Sequence, residues 1–212
     1  RREISLGETT KEDVYDKMRR SIEIMKVSTQ NPIQNPIPSM GRLLNGEAKS
    51  VWQHSFEGNP QTLCGPILSK AIAYAMAVLE TNASMGLIVA APTAGSSGVI
   101  PGTVLSICES YDLEESAIYD GLLNTGAIGW LIMRNASVSG AEAGCQAEVG
   151  AASAMAASAA VELLGGSPEQ SLTAAAIALS NLLGLVCDPI AGLVESPCQS
   201  RNVIGVSNAF SS

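Results

Sequence analysis

Aromatic residues and charged residues are both scarce in this chain. Of 212 residues, 4% are Phe, Trp or Tyr and 15% are charged, against 46% hydrophobic. Its core must therefore be filled by small aliphatic side chains, which let helices approach one another closely. Clustered basic residues are missing too: the one run is Lys17, Arg19 and Arg20, and the formal net charge is -8. Nucleic-acid surfaces begin with grouped Lys and Arg, so this balance argues against a nucleic-acid partner. Only one histidine is present, His54. It reads as a surface or structural residue, which leaves zinc short of an imidazole ligand and general-base catalysis short of its commonest group.

The five cysteines contain no close CxxC pair and are odd in number, and no signal-peptide pattern opens the chain. A secreted disulfide framework is thereby disfavoured, and a reducing cytoplasm is the expected location. Long uninterrupted apolar runs are also absent. The stretch from Ala83 to Cys108 is broken by Pro92, Pro101 and a run of Gly and Ser, and that from Ala141 to Leu164 carries Glu142, Gln146, Glu148 and Glu162. Neither suits a membrane. The chain starts at Arg1 and stops in AFSS, so we expect it to be part of something longer, truncated at the C-terminus.

What is there reads as helix. Thr9 and Glu12 suggest a capping box ahead of Val14, Met18, Ile22 and Met25, which recur at helical spacing. From Gln30 to Gly46, three prolines within seven residues predict an irregular arm. Further helices are expected over about 61–82, 98–109, 114–133, 140–164 and 168–186, the last opened by Ser167 and Pro168 and closed by Asp188-Pro189. Residues 86–92, GLIVAAP, fit either a buried strand or a helix end. With no second convincing strand, the expected fold is all-α, a compact bundle of small-residue-rich helices with Gly/Pro-rich loops. We divide it into an N-terminal helix and arm, residues 1–48, and a helical domain, residues 49–212.

Three segments could carry chemistry. Cys145, Cys187 and Cys198 stand in GCQAEVG, VCDPIAG and SPCQS, beside the Gly and Pro that start or stop helices, where free backbone donors favour a thiolate. Three thiolates would leave one coordination position open, and iron bound to sulfur matches the set better than zinc. Packing as small core hydrophobes is the alternative, and Cys64 and Cys108 are expected to do so. The segment APTAGSSGVIPG, residues 91–102, places Gly95, Ser96, Ser97 and Gly98 before a helix. It lacks the P-loop spacing and lysine, so a small carboxylate fits it better than a nucleotide. Finally, Asn135, Ser137 and Ser139 precede Cys145, with Glu142 and Glu148 nearby, and Ser139 with Glu142 could form a second capping box.

The strings APTAGSSGVIPG, NASVSGAEAGCQAEVGAASAMAASAA and GLVCDPIAGLVESPCQSRN, between about Asn82 and Asn208, resemble the alpha chain of iron-sulfur dependent L-serine dehydratase. The resemblance implies that Cys145, Cys187 and Cys198 hold three irons of a [4Fe-4S] cluster, leaving the fourth for substrate. It further implies conversion of L-serine to pyruvate and ammonia without pyridoxal phosphate. Thr93, Ala94, Gly95, Ser96 and Ser97 would cradle the substrate carboxylate, and Asn135 and Ser139 would orient the substrate. A beta chain is the implied partner, in an oligomer, and we expect the general base or its positioning groups to come from outside this chain. Two alternatives stay open on the motifs: an iron-sulfur L-cysteine desulfidase and a non-catalytic iron-sulfur domain. A metal-free helical interaction module, with all five cysteines in the core, is a third, and it requires Cys145, Cys187 and Cys198 to lie far apart.

Overall fold

The computed structural model describes residues 6–58, 60 and 62–212. Among them are nine α-helices and no strand: α1 Lys11–Gln34, α2 Glu47–Phe56, α3 Gly65–Ala83, α4 Val99–Ser110, α5 Glu115–Asn135, α6 Gly140–Ala143, α7 Cys145–Leu163, α8 Pro168–Asn181 and α9 Glu195–Ser211. The all-α expectation holds. No helix among the described residues is long and apolar enough to cross a membrane.

Helix α7 is the axis of the bundle. Its residues Val149 to Ala159 are all buried, and it packs against α4, α5, α8 and α9. Ala and Ser make up most of that face, so neighbouring helices come close without aromatic filling. A similar closeness joins α3 to α4, where a Cβ on Gly98 or Gly102 would collide with the backbone of Ala75 or Ala71. Ile22 and Met25 of α1 enter the same apolar core as Tyr74, Val99, Val104 and Met155.

Several boundaries differ from the sequence reading. Thr10, not Thr9, caps α1: its hydroxyl accepts from Asp13 N at 3.1 Å while the Asp13 carboxylate accepts from Thr10 N at 3.0 Å. Helix α1 then runs through Asn31-Pro32 to Gln34, so the irregular arm begins at Asn35. Pro32 has no N–H for the carbonyl of Ser28. The Thr81 hydroxyl of α3 lies 3.2 Å from that oxygen and supplies a donor. Helix α2 was not anticipated, and neither was α9, whose buried face is Gln199, Asn202, Gly205, Val206 and Ala209. That face is too polar to give an apolar period. Residues 86–92 form neither strand nor helix. Helix α8 ends at Asn181 instead of Val186, followed by a turn with Gly184 at φ +90°. Its start is as expected: Ser167 and Gln170 form a reciprocal capping box. The expected helix over 140–164 is split at Gly144, and Ser139 makes no side-chain cap. Cys108 is buried as expected, but Cys64 is exposed, just ahead of α3.

Candidate functional site

Cys145 is the first residue of α7, buried at the positive end of a 19-residue helix. The segment after α8 is tied to that same end. Gln146 N donates to Leu185 O at 2.7 Å, and Gly184 N donates to the Gln146 side-chain oxygen at 2.8 Å. These two bonds deliver Cys187 to the start of α7. Gly144 permits the approach: its φ of +70° suits glycine, and a Cβ there would meet Cys187 N at 3.3 Å and Leu185 O at 3.4 Å.

From the other side comes Arg201 of α9. Its guanidinium donates to Val186 O at 2.6 Å and to Asp188 Oδ1 at 2.5 Å, gripping the residues on either side of Cys187. Cys198 lies one turn earlier on α9. Three elements therefore converge, each bearing one of the three cysteines singled out in the sequence.

The thiols feel one another electrically. Burial pushes Cys198 up to about 12, and Cys145, Glu148 and Cys187 push the same way against Arg201. Burial also raises Cys145, opposed first by the Arg201 charge, with Cys187 and Glu148 adding to the rise. Cys145 and Cys198 therefore resist ionisation unless a cation joins them. Among the described residues, no three His, Cys, Asp or Glu side chains are arranged to hold a single metal ion. A lone zinc needs sulfurs at about 2.3 Å from one atom, whereas thiolates of an iron-sulfur cluster each take a different iron. Three thiols are soft donors, of the kind that iron bound to sulfur takes. His54 is exposed in the last turn of α2.

The turn Thr93–Ser97 is brought to the cysteines by Asn202, a fully buried side chain of α9. Its Nδ2 donates to Gly95 O at 2.7 Å and to Cys198 O at 2.8 Å, and its Oδ1 accepts from Gly98 N at 3.0 Å. A single amide thus fixes turn, helix start and cysteine together. Residues Ala94–Ser96 form a 3-10 turn. Thr93, Ala94 and Gly95 face outward in part, while Ser96 and Ser97 are buried. The Ser97 hydroxyl donates to Ala94 O at 2.8 Å, and the Thr93 and Ser96 hydroxyls lie 3.2 Å apart.

Glu148, one turn along α7 from Cys145, reaches the same place. A Cβ on Gly95 would lie 3.3 Å from a Glu148 carboxylate oxygen and 3.7 Å from Cys198 Sγ, and one on Gly140 would collide with that carboxylate. Ser139 immediately precedes Gly140, with its N–H on the Ser137 hydroxyl at 3.1 Å, and Ser137 in turn pairs with Glu142. Asn135 stands apart: it is exposed at the end of α5, and its amide donates to Leu131 O at 2.8 Å. Sequence reasoning placed Glu148 near Cys145 without a defined task and gave no role to Gln146, Arg201 or Asn202. All four lie within three residues of Cys145 or four of Cys198, and that proximity was the available signal.

Fold and site together define an all-α protein whose candidate centre is built from thiols at the start of α7, in the loop after α8 and in the first turn of α9. The chain belongs to the serine dehydratase alpha chain family, whose model matches residues 1–212. It is 45% identical over 208 residues to the "Probable L-serine dehydratase, alpha chain" of Bacillus subtilis, covering 98% of this chain and 68% of that protein. Over 209 residues it is 47% identical to the "L-serine dehydratase, alpha chain" of Peptoniphilus asaccharolyticus, covering 98% and 70%. A "L-serine dehydratase" of Streptomyces coelicolor is 50% identical over 148 residues, 69% of this chain but 32% of that longer protein. The family match extends over the N-terminal third, where the sequence offered no motif.

Proposed function

We propose that this chain is the cluster-holding part of an L-serine ammonia-lyase, releasing pyruvate and ammonia. The observation that supports it most is the convergence of Cys145, Cys187 and Cys198 from three elements beside a turn rich in backbone donors. Cys145, Cys187 and Cys198 would hold a [4Fe-4S] cluster, which when bound supplies a Lewis acid for the departing hydroxyl group.

The chain's own residues do the rest of the positioning. The partly exposed turn Thr93–Gly95 would hold the substrate carboxylate through its backbone N–H groups, as amides at a turn favour an anion. Ser96 and Ser97 shape that turn from within through their hydroxyl contacts. Asn202 keeps turn and Cys198 in register. Ser139, next to the Gly140 that packs on Glu148, borders the site and would orient the substrate, whereas Asn135, bonded to Leu131 O at the end of α5, is not brought to it. No histidine stands in these segments, and we assign removal of the Cα proton, or the positioning of the group that does it, to residues outside this chain, a beta chain being the candidate source. The relatives named as alpha chains fit such a partner, as does the longer relative of which this chain covers 32%. Five free thiols suit the reducing cytoplasm.

The test is pyruvate release by anaerobically reconstituted protein with its beta chain, supplied with L-serine or L-cysteine. Turnover of L-serine is expected. Turnover of L-cysteine alone would replace the proposal with a desulfidase, and turnover of neither would leave a structural or sensing role.

A further inference from the structure

Glu148 is a carboxylate placed at the centre with no ion-pair partner among the described residues. The other acids near the cysteines are engaged. Glu142 pairs with the Ser137 hydroxyl, Asp188 with Arg201, and Glu195 accepts from Ser39, Gly41 and Leu43. None of the three ion pairs among the described residues involves Glu148. Its carboxylate instead lies against two glycines from different segments. At Gly140 a Cβ would collide with it, and at Gly95 a Cβ would come within 3.3 Å of one oxygen and 3.5 Å of the other. Side chains are missing at both points where this carboxylate reaches the turn and the start of α6. The residue is half-buried, so its charge is only partly screened by water.

A carboxylate in this position does not suit an anionic ligand alone. It suits a zwitterion, whose carboxylate takes the N–H groups of Thr93–Gly95 while its ammonium meets an anion a few ångströms away. The local cation, Arg201, is already committed to Val186 and Asp188 and does not compete for Glu148 through either bond. We infer that Glu148 binds the α-ammonium of an α-amino acid, giving the site a two-point test that admits amino acids and rejects hydroxy acids. This inference rests on the amino-acid lyase reading above and names the group that enforces its substrate class.

The experiment compares L-serine with 3-hydroxypropanoate, which is serine without its amino group, on the anaerobically reconstituted assembly. In Glu148→Gln, L-serine affinity measured by calorimetry should fall by about 10- to 100-fold, the loss typical of one charge-assisted hydrogen bond. Affinity for 3-hydroxypropanoate should stay the same or improve. Gly140→Ala should give the same split by displacing the carboxylate without removing it. The visible absorption of the bound cluster, unchanged in both variants, reports an intact centre. Equal weakening of both ligands, or no weakening of L-serine, would overturn the inference while leaving the lyase reading intact. Failure of the unaltered protein to bind L-serine would overturn both.

Discussion

The Ser39 hydroxyl donates to the Glu195 carboxylate at 2.6 Å across 156 residues of sequence, joining the arm after α1 to the first turn of α9. The same carboxylate accepts from Gly41 N at 2.7 Å, and the Ser39 hydroxyl accepts from the buried Leu44 N at 3.0 Å. The Ser39 bond holds the Glu195 carboxyl below its usual range. Since α9 carries Cys198 three residues later, the arm acts as a brace on the cysteine centre.

Ser39→Ala should therefore cost about 1–2 kcal/mol, the range for losing a hydrogen bond and stranding a buried N–H. The urea midpoint should fall with little change in the slope. Loss of the brace should also speed release of bound iron to a chelator. Unchanged stability and iron release would mean that the arm is merely draped over α9.

Glu80 offers a pH-dependent test away from the cysteines. It is 2% exposed, its Oε1 accepts from Ala48 N at 2.8 Å and Gln199 Nε2 at 3.0 Å, and its Oε2 has no partner. Burial raises its pKa from 4.5 to about 7, helped by the Glu47 carboxyl and opposed by those two donors. The folded protein thus binds a proton more tightly than the unfolded chain does. Its stabilising contribution is complete below pH 4.5, declines as pH rises toward about 7, and is level above that. Glu80→Gln, which keeps an acceptor and cannot ionise, should flatten stability across this window, by up to about 1.4 kcal/mol per pH unit. Urea unfolding of both proteins at several pH values provides the check. Parallel pH profiles would contradict the assignment.

The Pro32 contact predicts a coupling. Thr81→Val removes the hydroxyl lying 3.2 Å from Ser28 O and 3.1 Å from Ala77 O, and should cost about 1 kcal/mol. In a Pro32→Ala background the alanine N–H can bond Ser28 O within the helix, so the cost of Thr81→Val should shrink. A double-mutant cycle by chemical denaturation measures this coupling. Additive effects would show that Thr81 does not replace the missing donor.

This contact also explains where the sequence misled. Three prolines after Gln30 read locally as a break, yet the donor that tolerates Pro32 comes from a residue 49 positions after it, which no local pattern encodes. Helix α9 was hidden for the opposite reason: Gln199 and Asn202 are buried because they bond to other segments, so its inner face carries polar residues. The starts of α3 and α8 were legible through Pro66 and through Ser167 with Pro168, and α4 and α5 through their apolar runs. At the site, neighbouring Gly and Pro picked out Cys145, Cys187 and Cys198, although Cys187 lies in the loop between α8 and α9 and not at a helix end. Gln146 and Arg201, which seat the Cys187 segment, act through backbone carbonyls, the Gly184 N–H and one carboxylate, and that backbone pairing leaves no trace in the sequence.

The cysteines themselves should divide cleanly. Cys145→Ser, Cys187→Ser and Cys198→Ser should each lower iron and sulfide content and the visible absorption after anaerobic reconstitution. Cys64→Ser, at an exposed position, and Cys108→Ala, in the core, should retain both. Equal loading of all five variants would assign the cluster to other ligands.

The most direct measurement is Mössbauer spectroscopy of the iron-57 reconstituted protein with and without L-serine. The account predicts that one iron site of the cluster shifts on adding L-serine while the three held by Cys145, Cys187 and Cys198 do not. A spectrum indifferent to L-serine, or a protein that binds no iron, would contradict it.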